Sequence, residues 1–472
     1  MTLVSPDGRG ASIIARLDAL PLSRYVTGLV ILLAFAGAFE IYDIALTGLL
    51  IPGLVLDDIF FTDGRGLFGF DDQAAFAAAT FAGLFVGTAF LASAADRIGR
   101  RRMFIFGMLW YSLFGVLMAT QTDARLIDLL RFLAGAGIGV QLVTLDSYVS
   151  ELAPPSWRGR LFAVSQSVQY VGVPLAGVLC VLFLPRTPLG IAGWRWVAAM
   201  PGAGVIVALL IARIVPESPR WLASRGRIEE AETVLAEFER RALKAATSPT
   251  AAVAEPASPV PAAATRFADI WQPPLRRRTI VLIVYNVFQA IGYFGFSSWV
   301  PTLLVAQGVE VTKGIAYTAI ISFVYPLCPL IFIAFADRIE RKLQLVAASL
   351  GMAAFGIAFG HQHAAGPIIV LGVFITLSGA LLSYAGHAYQ AELFPTGVRS
   401  RAVGFVYSFS RLAAIASSFI VAATLRGAGA TGVFAVIAGC MLIVAVTVGF
   451  FGPRTRGRAL DAPSPVLAVR AS

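Results

Sequence analysis

The sequence predicts an all-α membrane protein in which twelve transmembrane helices form two six-helix bundles, arranged as a parallel repeat. Three observations predict this fold class: the composition, a series of long apolar runs, and two pairs of motifs that recur at one spacing. Of the 472 residues, 58% are hydrophobic and only 14% are charged, and the mean hydropathy is +0.78. Because a soluble domain is about a quarter charged, this composition indicates a chain embedded in lipid.

The apolar runs give the helices. Each run has roughly 18 residues or more, enough to cross a hydrocarbon core of about 30 Å. We predict spans at 26–50, 74–94, 104–121, 126–147, 161–184, 195–214, 279–303, 315–336, 343–360, 366–389, 402–425 and 430–451. The first 24 residues show no apolar segment ahead of a small-residue cleavage site, so we expect no removable signal peptide.

The distribution of Lys and Arg predicts the orientation. The side that holds the termini and the even-numbered connections carries 29 of them, and the opposite side carries 6. By the positive-inside rule, both termini are cytoplasmic, and we expect a multi-pass protein of a bacterial plasma (inner) membrane. This bias explains the net charge of +10, so the charge does not indicate nucleic-acid binding. The three cysteines lie singly within spans, without metal-ligand or disulfide spacing.

An internal repeat divides the chain in two. ADRIGRR (95–101) recurs as ADRIERK (336–342), and YVSELAPPSWRGR (148–160) recurs as YQAELFPTGVRSR (389–401), both 241 residues later. The chain therefore consists of two copies of a six-helix unit, at about 20–214 and 275–452. Since six is even, the copies have the same orientation and are parallel repeats.

The domain boundaries follow from the repeat. We predict a cytoplasmic N-terminus (1–24), a first bundle (25–214), a cytoplasmic linker (215–277), a second bundle (278–452) and a cytoplasmic tail (453–472). Within the linker, residues 227–244 are acidic near their start and basic near their end, which favours a short helix. Residues 245–265 are rich in Ala and Pro and predict a flexible tether.

Six motifs carry a family resemblance. They are ADRIGRRR (95–102), RFLAGAGIG (131–139), YVSELAPPSWRGR (148–160), PESPRWL (216–222), ELFPTGVRSR (392–401) and PRTRGRALD (453–461). In this order they resemble the major facilitator superfamily, in its sugar-porter-like and metabolite/proton-symporter branch, over about 430 residues. The last motif departs from the usual Pro-Glu-Thr opening by having Arg454. The resemblance implies the major facilitator fold and a secondary transporter that works by alternating access. GAGIG (135–139) is not a dinucleotide loop, because it lies in an apolar span, and we expect it to let helices pack closely.

Within that branch, the resemblance favours an organic acid over a sugar. Sugar porters usually carry Gln-Gln-x-x-Gly-x-Asn on the seventh helix, whereas FQAIGYF (288–294) has Phe288 and Phe294 at two of these positions. The Trp that stacks on sugar is replaced by His387. Arg411 falls where organic-anion carriers have an eleventh-helix Arg. The resemblance thus implies proton-coupled symport of a small organic acid or related metabolite, with a sugar/polyol proton symporter or a drug/proton antiporter as alternatives.

Two carboxylates in the first span, within AFEIYDIALTGL (38–49), predict the coupling site. Each costs about 2.5–3.5 kcal/mol in lipid, and residues three apart, such as Glu40 and Asp43, share a helix face. Asp43 follows Tyr42 as the proton-binding Asp does in sugar/proton symporters, and Arg131 resembles the fourth-helix Arg that pairs with it. A desolvated carboxylate gains a proton easily and an approaching guanidinium expels it, so Asp43 would be a switchable proton carrier. The alternative is a permanent ion pair that fixes helices one and four. Glu40 would be a second proton site, a substrate contact or a vestibule carboxylate.

Arg411 is the leading candidate for the substrate. Its predicted helix has no acidic residue, and its fixed fork of donors matches a carboxylate, although pairing with Asp43 or Glu40 is an alternative. His387 would contact the substrate or relay protons, or be a satisfied polar core residue. The other substrate-binding candidates are polar or aromatic side chains on helices five and seven: Gln166, Gln169, Gln289, Tyr293 and Phe294. For Trp299 we expect ordinary packing or an interfacial position.

The loop charges predict gating. Glu151 with Arg158, and Glu392 with Arg399, are expected to cap helix ends and lock the halves by salt bridges; positive-inside anchoring is the alternative. The full set is Asp96, Arg97, Arg100, Arg101, Glu151, Arg158, Asp337, Arg338, Arg341, Glu392 and Arg399.

The remaining function classes are disfavoured. The sequence contains no nucleophile–base constellation, metal cluster or phosphate loop, so we expect no enzyme and no cofactor, with the proton as coupling ion. A nutrient sensor on a transporter scaffold would need a large folded cytoplasmic extension. The expected partners are a small-molecule substrate, a carboxylate by preference, together with protons and the lipid bilayer. We expect no nucleic acid, and a monomer.

Overall fold

The computed structural model describes residues 8–61, 71–91, 94–243, 267–273, 275–335, 338–395 and 398–455. In these residues eleven helices are long and apolar enough to cross a membrane. We number them α1 (Arg24–Leu49), α2 (Asp72–Leu91), α3 (Arg100–Ala119), α4 (Ala124–Leu152), α5 (Arg158–Phe183), α6 (Gly193–Ile214), α7 (Leu275–Ser297), α8 (Val311–Ile333), α9 (Arg341–Phe359), α10 (Ala365–Leu393) and α11 (Arg399–Val446). The predicted all-helical membrane fold is confirmed.

The eleventh and twelfth predicted spans are two helices joined at a kink within Arg399–Val446, at the break predicted between 425 and 430. Gly429 alone leaves helical geometry, with φ of 66° and ψ of −172°. A positive φ is open to glycine at little cost, so this one residue separates the two helices and changes the direction of the chain. The arms 399–428 and 430–446, the second extended by a π turn at Thr447–Phe451, are each long enough to cross the bilayer.

The repeat is visible in the helix boundaries. The helices α3, α4 and α5 begin at Arg100, Ala124 and Arg158, and α9, α10 and α11 begin 241 residues later. Both α4 and α10 have 29 residues. Equivalent residues of the two copies can therefore be compared position by position in this region.

The chain divides into two compact units. The first comprises Met1–Ile59 with Ala82–Glu255, and the second comprises Phe60–Phe81 with Pro256–Ser472. Each has its own apolar core, around Leu33, Met108 and Leu145 in the first and around Met352, Leu382 and Met441 in the second.

Glycines bring α4 close to its neighbours in the first unit, as RFLAGAGIG predicts. A Cβ on Gly139 would lie 2.5 Å from the backbone oxygen of Leu84, and one on Gly137 would lie 2.6 Å from the Trp110 ring. The α1 helix is also held tightly: a Cβ on Gly172 would lie 2.1 Å from the Ala38 oxygen. These contacts fix the position of the polar residues on α1 and α4.

Short helices lie outside the spans. The predicted linker helix is present as Ile228–Leu243, while the predicted tether at 245–265 lies outside the described residues. The helix Gly8–Ala19 packs on this linker helix through buried Ile13 and Leu17. After α7 the chain continues as Val300–Ala306, with Pro301 in its first turn, where proline needs no donor. The other short helices are Ile51–Leu56, Ala94–Ile98 and Pro219–Ser224.

Candidate functional site

The first unit buries an ion pair between α1 and α4. Arg131 Nη1 lies 2.7 Å from Asp43 Oδ1, and both side chains are fully buried. Arg131 Nη2 donates to Thr47 Oγ1 at 2.9 Å and to the backbone oxygen of Asp43. The second carboxylate oxygen of Asp43, Oδ2, accepts no hydrogen bond from any described residue. The expected pairing of Asp43 with Arg131 is thus formed, with one acceptor of the carboxylate still open.

Further polar groups surround this pair. Glu40, one turn before Asp43 on α1, is fully buried. Tyr111 of α3 interacts electrostatically with both carboxylates, and both Tyr111 and Gln141 of α4 are fully buried. Our sequence analysis missed Tyr111 and Gln141, although each is a polar side chain within an apolar span. The buried cluster is therefore larger than three residues.

The two α5 candidates differ in their surroundings. Gln169 is buried and donates to Ser165 Oγ at 3.1 Å, and a Cβ on Gly37 would lie 2.8 Å from Gln169 Cγ. Gln169 thus packs on α1 one turn before Glu40. Gln166 is half-buried.

The second unit contains a small polar cavity at Arg411. Arg411 is 8% exposed. Its Nη2 donates a hydrogen bond to the Tyr407 hydroxyl at 3.1 Å, and its guanidinium lies 5.0 Å from the centre of the Tyr407 ring. The Nε atom of Arg411 is buried without a hydrogen-bond partner in the described part of the chain. Tyr407 was not predicted, although it lies four residues before Arg411 on the same face of α11. The cavity lining comprises Tyr285, Asn286, Gln289, Tyr293, Phe294, Ser383, His387, Gln390, Tyr407, Ser410 and Arg411.

Most polar side chains of this cavity are already bonded to protein. Asn286 donates to the Leu282 oxygen at 2.8 Å and to Gln390 Oε1 at 3.0 Å. The Gln390 amide donates to the Gly386 oxygen, the Tyr285 hydroxyl to the Leu382 oxygen, and the Ser410 hydroxyl to the Tyr407 oxygen. The guanidinium of Arg411 is a cationic group of this cavity that retains donor capacity.

The three aromatic and imidazole candidates also line this cavity. His387 is accessible, its Nδ1 lies 2.7 Å from the Ser383 oxygen, and its ring is 5.2 Å from that of Tyr407. Tyr293 packs edge-on against Phe294, and Phe294 contacts Phe81 at 4.6 Å between ring centroids. Accessibility argues against His387 being an ordinary core residue. Trp299, in contrast, is 1% exposed and belongs to the apolar core, so it packs as expected.

The charged motifs of the first unit form one network. Arg100 lies 2.9 Å from Glu151 and 2.6 Å from Asp96. Glu217 Oε1 accepts from the backbone nitrogens of Arg100 and Arg101 at 2.9 and 3.1 Å. This corrects the expected partner of Glu151. Glu151 pairs with Arg100 instead of Arg158, because α3 begins beside the end of α4. Glu217 was quoted within PESPRWL but not recognised as a helix-start acceptor.

The second unit repeats part of this arrangement. Arg341 lies 3.5 Å from Glu392, the counterparts of Arg100 and Glu151, whereas Arg399 donates to the Phe394 oxygen at 3.1 Å. Arg341 is thus an ion-pair partner of Glu392, as Arg100 is of Glu151. Of the other gating candidates, Arg97 and Arg338 are exposed, and Asp337 lies outside the described residues. Below we call the end of the bundles that carries these residues the motif end.

A two-repeat helical membrane fold with charges buried inside its spans defines a secondary transporter of the major facilitator type. The family model for the sugar (and other) transporter matches residues 29–466, and the chain belongs to this family. It is 29% identical to the inner membrane metabolite transport protein YdjE of Escherichia coli K12, over 96% of this chain and 98% of YdjE. It is 25% identical to the niacin transporter NiaP of Acinetobacter baylyi, over 95% of this chain and 99% of NiaP.

The fold is confirmed by a solved structure. The partially occluded inward-open conformation of the xylose transporter XylE from E. coli matches 93% of this chain and 100% of that chain, with a TM-score of 0.71 and 19% identity. The chain is thus a multi-pass transporter of the major facilitator fold, as predicted, and belongs to a family of transporters, not of enzymes.

Proposed function

We propose that this transporter carries a small organic acid into the cell together with protons, by alternating access across a bacterial plasma membrane, with both termini cytoplasmic. The observation that carries the proposal is Arg411, which lines a cavity and whose buried Nε has no hydrogen-bond partner in the described part of the chain. A guanidinium with open donors matches a carboxylate. NiaP, a relative over nearly the whole chain, is named for niacin, an aromatic carboxylic acid.

The hydrogen bonds of the cavity support an acid over a sugar. A sugar presents several hydroxyl groups, each of which needs a partner when it leaves water. Asn286, Gln390 and Tyr285 already spend donors on protein acceptors. A ligand with one anionic group and an apolar body needs fewer new partners, and the tyrosine and phenylalanine rings would contact that body.

A sugar/proton symporter is the second candidate. Its support is the xylose transporter among the similar folds and the family description itself. A thermal-shift screen of the purified protein with benzoate, succinate, nicotinate and xylose, at two pH values, separates the candidates. The organic-acid proposal expects stabilisation by at least one acid, and stabilisation by xylose alone would contradict it.

Arg411→Ala tests the substrate contact. We expect a loss of about 1.5–3 kcal/mol of binding free energy for the acid, the worth of a hydrogen bond to a charged group. The matched control is Arg426→Ala. Arg426 follows Arg411 in the same helical segment, but its side chain is 61% exposed and its ion-pair partner is Asp71, at 3.8 Å. Unchanged acid affinity in Arg411→Ala, measured by calorimetry, would remove Arg411 from the site.

Proton coupling at Asp43 is tested in proteoliposomes. Asp43→Asn keeps the size of the side chain but cannot release a proton, so accumulation driven by a pH gradient should disappear while counterflow exchange continues. Asp58→Asn is the control, because Asp58 is exposed and has a φ of 55°, a conformation that Asn tolerates well. Normal accumulation in Asp43→Asn would contradict the coupling role.

A further inference from the structure

A titratable residue that the proposed mechanism does not use lies on α4. Asp146 is about 22 Å along this helix from Arg131, at 1.5 Å per residue, and about 9 Å before the helix ends at the motif end. After the first turn of α4, the charged and amide side chains that precede it are buried: Asp128 is 4% exposed, and Arg131 and Gln141 are fully buried. Asp146 is only partly buried. It is thus the first carboxylate beyond the Asp43–Arg131 pair, along α4, that solvent reaches.

Asp146 has no charged partner among the residues that the structure describes. It makes no hydrogen bond or ion pair with any of them. The charged groups of the elements packed on α4 are engaged elsewhere or do not reach it. Arg100 of α3 binds Asp96 and Glu151, Arg101 binds the Ala212 oxygen, and Arg220 binds Asp18. On α5, Arg160 lies over the Trp157 ring and Arg158 does not reach Asp146, and on α1 Asp43 binds Arg131.

The repeat gives this position a second meaning. At the offset of 241 residues, Asp146 is equivalent to His387, and both lie two residues before the motif tyrosines, Tyr148 and Tyr389. His387 lines the cavity of the second unit and is accessible. The two repeats therefore place a titratable side chain at the same step of α4 and α10, a carboxylate in one and an imidazole in the other.

We propose that Asp146 is a second proton-binding site of the transport pathway, lying on α4 between the Asp43–Arg131 pair and the motif end. The inference rests on the proposed proton coupling. In this conformation Asp43 is paired with Arg131, whereas Asp146, nearer the motif end, has a carboxylate that is partly exposed and open to a proton. An unpaired, partly exposed carboxylate accepts a proton and returns it to water without breaking an ion pair.

Asp146→Asn tests the site in two independent ways. In proteoliposomes, we expect the pH midpoint of transport on the motif-end side to move by about one unit or more. Asp146→Glu, which keeps a titratable group, should restore the wild-type profile. An unchanged pH profile in Asp146→Asn would overturn the proposal.

Infrared difference spectroscopy separates this site from the proposed function. In wild-type protein without substrate, a carboxyl band should change with pH, and this band should be absent in Asp146→Asn but present in Asp43→Asn. If wild-type protein shows no proton-driven transport but keeps this band, the proposed function fails and the proton site stands. If the band is still present in both variants, the proposed site is refuted. Size-exclusion chromatography verifies that each variant is folded.

Discussion

The two repeats share a helical frame but place their buried charge in opposite situations. In the first, Arg131 of α4 has Asp43, Thr47 and a backbone oxygen as partners and no exposed surface. In the second, the residue equivalent to Arg131 is Gly372, and the buried arginine is Arg411 on α11, whose guanidinium contacts the Tyr407 ring and hydroxyl. A closed ion pair keeps its arginine from a ligand, while an arginine at a cavity retains donors for one. The frame is duplicated, and the chemistry is divided between the copies.

The motif end shows the same divergence at a smaller scale. Pro216 and Pro453 both accept a hydrogen bond from their repeat's motif tyrosine, so the residues after them, Glu217 and Arg454, are equivalent. In the first repeat the carboxylate of Glu217 lies against Gly99, where a Cβ would be 2.3 Å from Oε2. In the second repeat the counterpart of Gly99 is Glu340, whose Oε1 accepts from the Thr455 nitrogen at 2.8 Å. The carboxylate thus comes from the residue after the proline in the first repeat, and from the position equivalent to Gly99 in the second. The second repeat therefore has its carboxylate at Glu340 and can carry Arg454 in place of an acid.

The largest predicted effect comes from removing each buried arginine. Arg131→Met leaves the Asp43 carboxylate buried without its counter-ion and should cost about 3–5 kcal/mol. Arg411→Met removes a guanidinium that has no carboxylate within ion-pair distance among the described residues of its own unit, so it should cost little. Thermal unfolding in detergent measures both.

Asp43→Asn should recover part of the stability lost in Arg131→Met, because the buried negative charge is then gone. Equal destabilisation by Arg131→Met and Arg411→Met would break the contrast between the repeats. It would mean that Arg411 is an ion-paired structural residue as well.

The next effect concerns the glycines of α4. Gly139→Ala would place a methyl group 2.5 Å from the Leu84 oxygen and 2.8 Å from the Thr88 nitrogen, both backbone atoms that cannot easily move. We expect a loss of about 1–3 kcal/mol from this overpacking. The equivalent residue of the second repeat is already an alanine, Ala380.

The matched control for this substitution is Gly404→Ala, where no atom lies within 4 Å of the added group. It should be neutral or slightly stabilising, because alanine favours a helix over glycine. A neutral Gly139→Ala, measured by the same thermal unfolding, would show that α2 and α4 can separate freely.

The sequence predicted most of the fold because its signals are additive. A run of twenty apolar residues indicates a span whatever the individual residues are, and two motifs at one offset indicate a repeat. The short break between the last two spans was predicted, but the positive φ of Gly429 that forms it is not contained in any hydropathy pattern. Helix boundaries and pairings are decided by such local geometry.

The candidate site was predictable only in part. The pairing of Asp43 with Arg131 came from a family resemblance, and the structure has it; their roles in coupling stay a prediction. Glu151 takes Arg100 because three separate segments meet at the motif end, which spacing along one segment cannot show. Asp146 was overlooked because it lies near the end of a span, where a carboxylate costs little and attracts no attention.

A smaller effect is expected from exchanging the motif-end charges of the second repeat. Glu340→Gly removes the acceptor for the Thr455 nitrogen and should cost about 0.5–2 kcal/mol. Arg454→Glu alone should also destabilise, since it sets a second carboxylate near Glu340. The double variant recreates the first repeat's arrangement and should be more stable than the sum of the two losses. Additive losses in a double-mutant cycle would refute the compensation.

The smallest effect should come from the exposed charges of the linker helix, Ile228–Leu243. Hydrogen bonds from Arg241 and then Arg240 lower the pKa of Glu237 below its usual 4.5. The pKa of Glu237 is lower in the folded protein than in the unfolded chain. The stabilisation that its ionised carboxylate gives the linker helix is therefore complete above pH 4.5, and it is lost as the pH falls through the folded pKa. A spin label on Thr233→Cys detects the loss of this stabilisation. Thr233 is exposed on the same helix, while the three native cysteines are buried and should not be labelled. The label should gain mobility only on acidification below that range, and Glu237→Gln should abolish the acid-dependent step. Since these side chains face water, transport should not change; a label that loosens already near neutral pH would show that another group holds the helix.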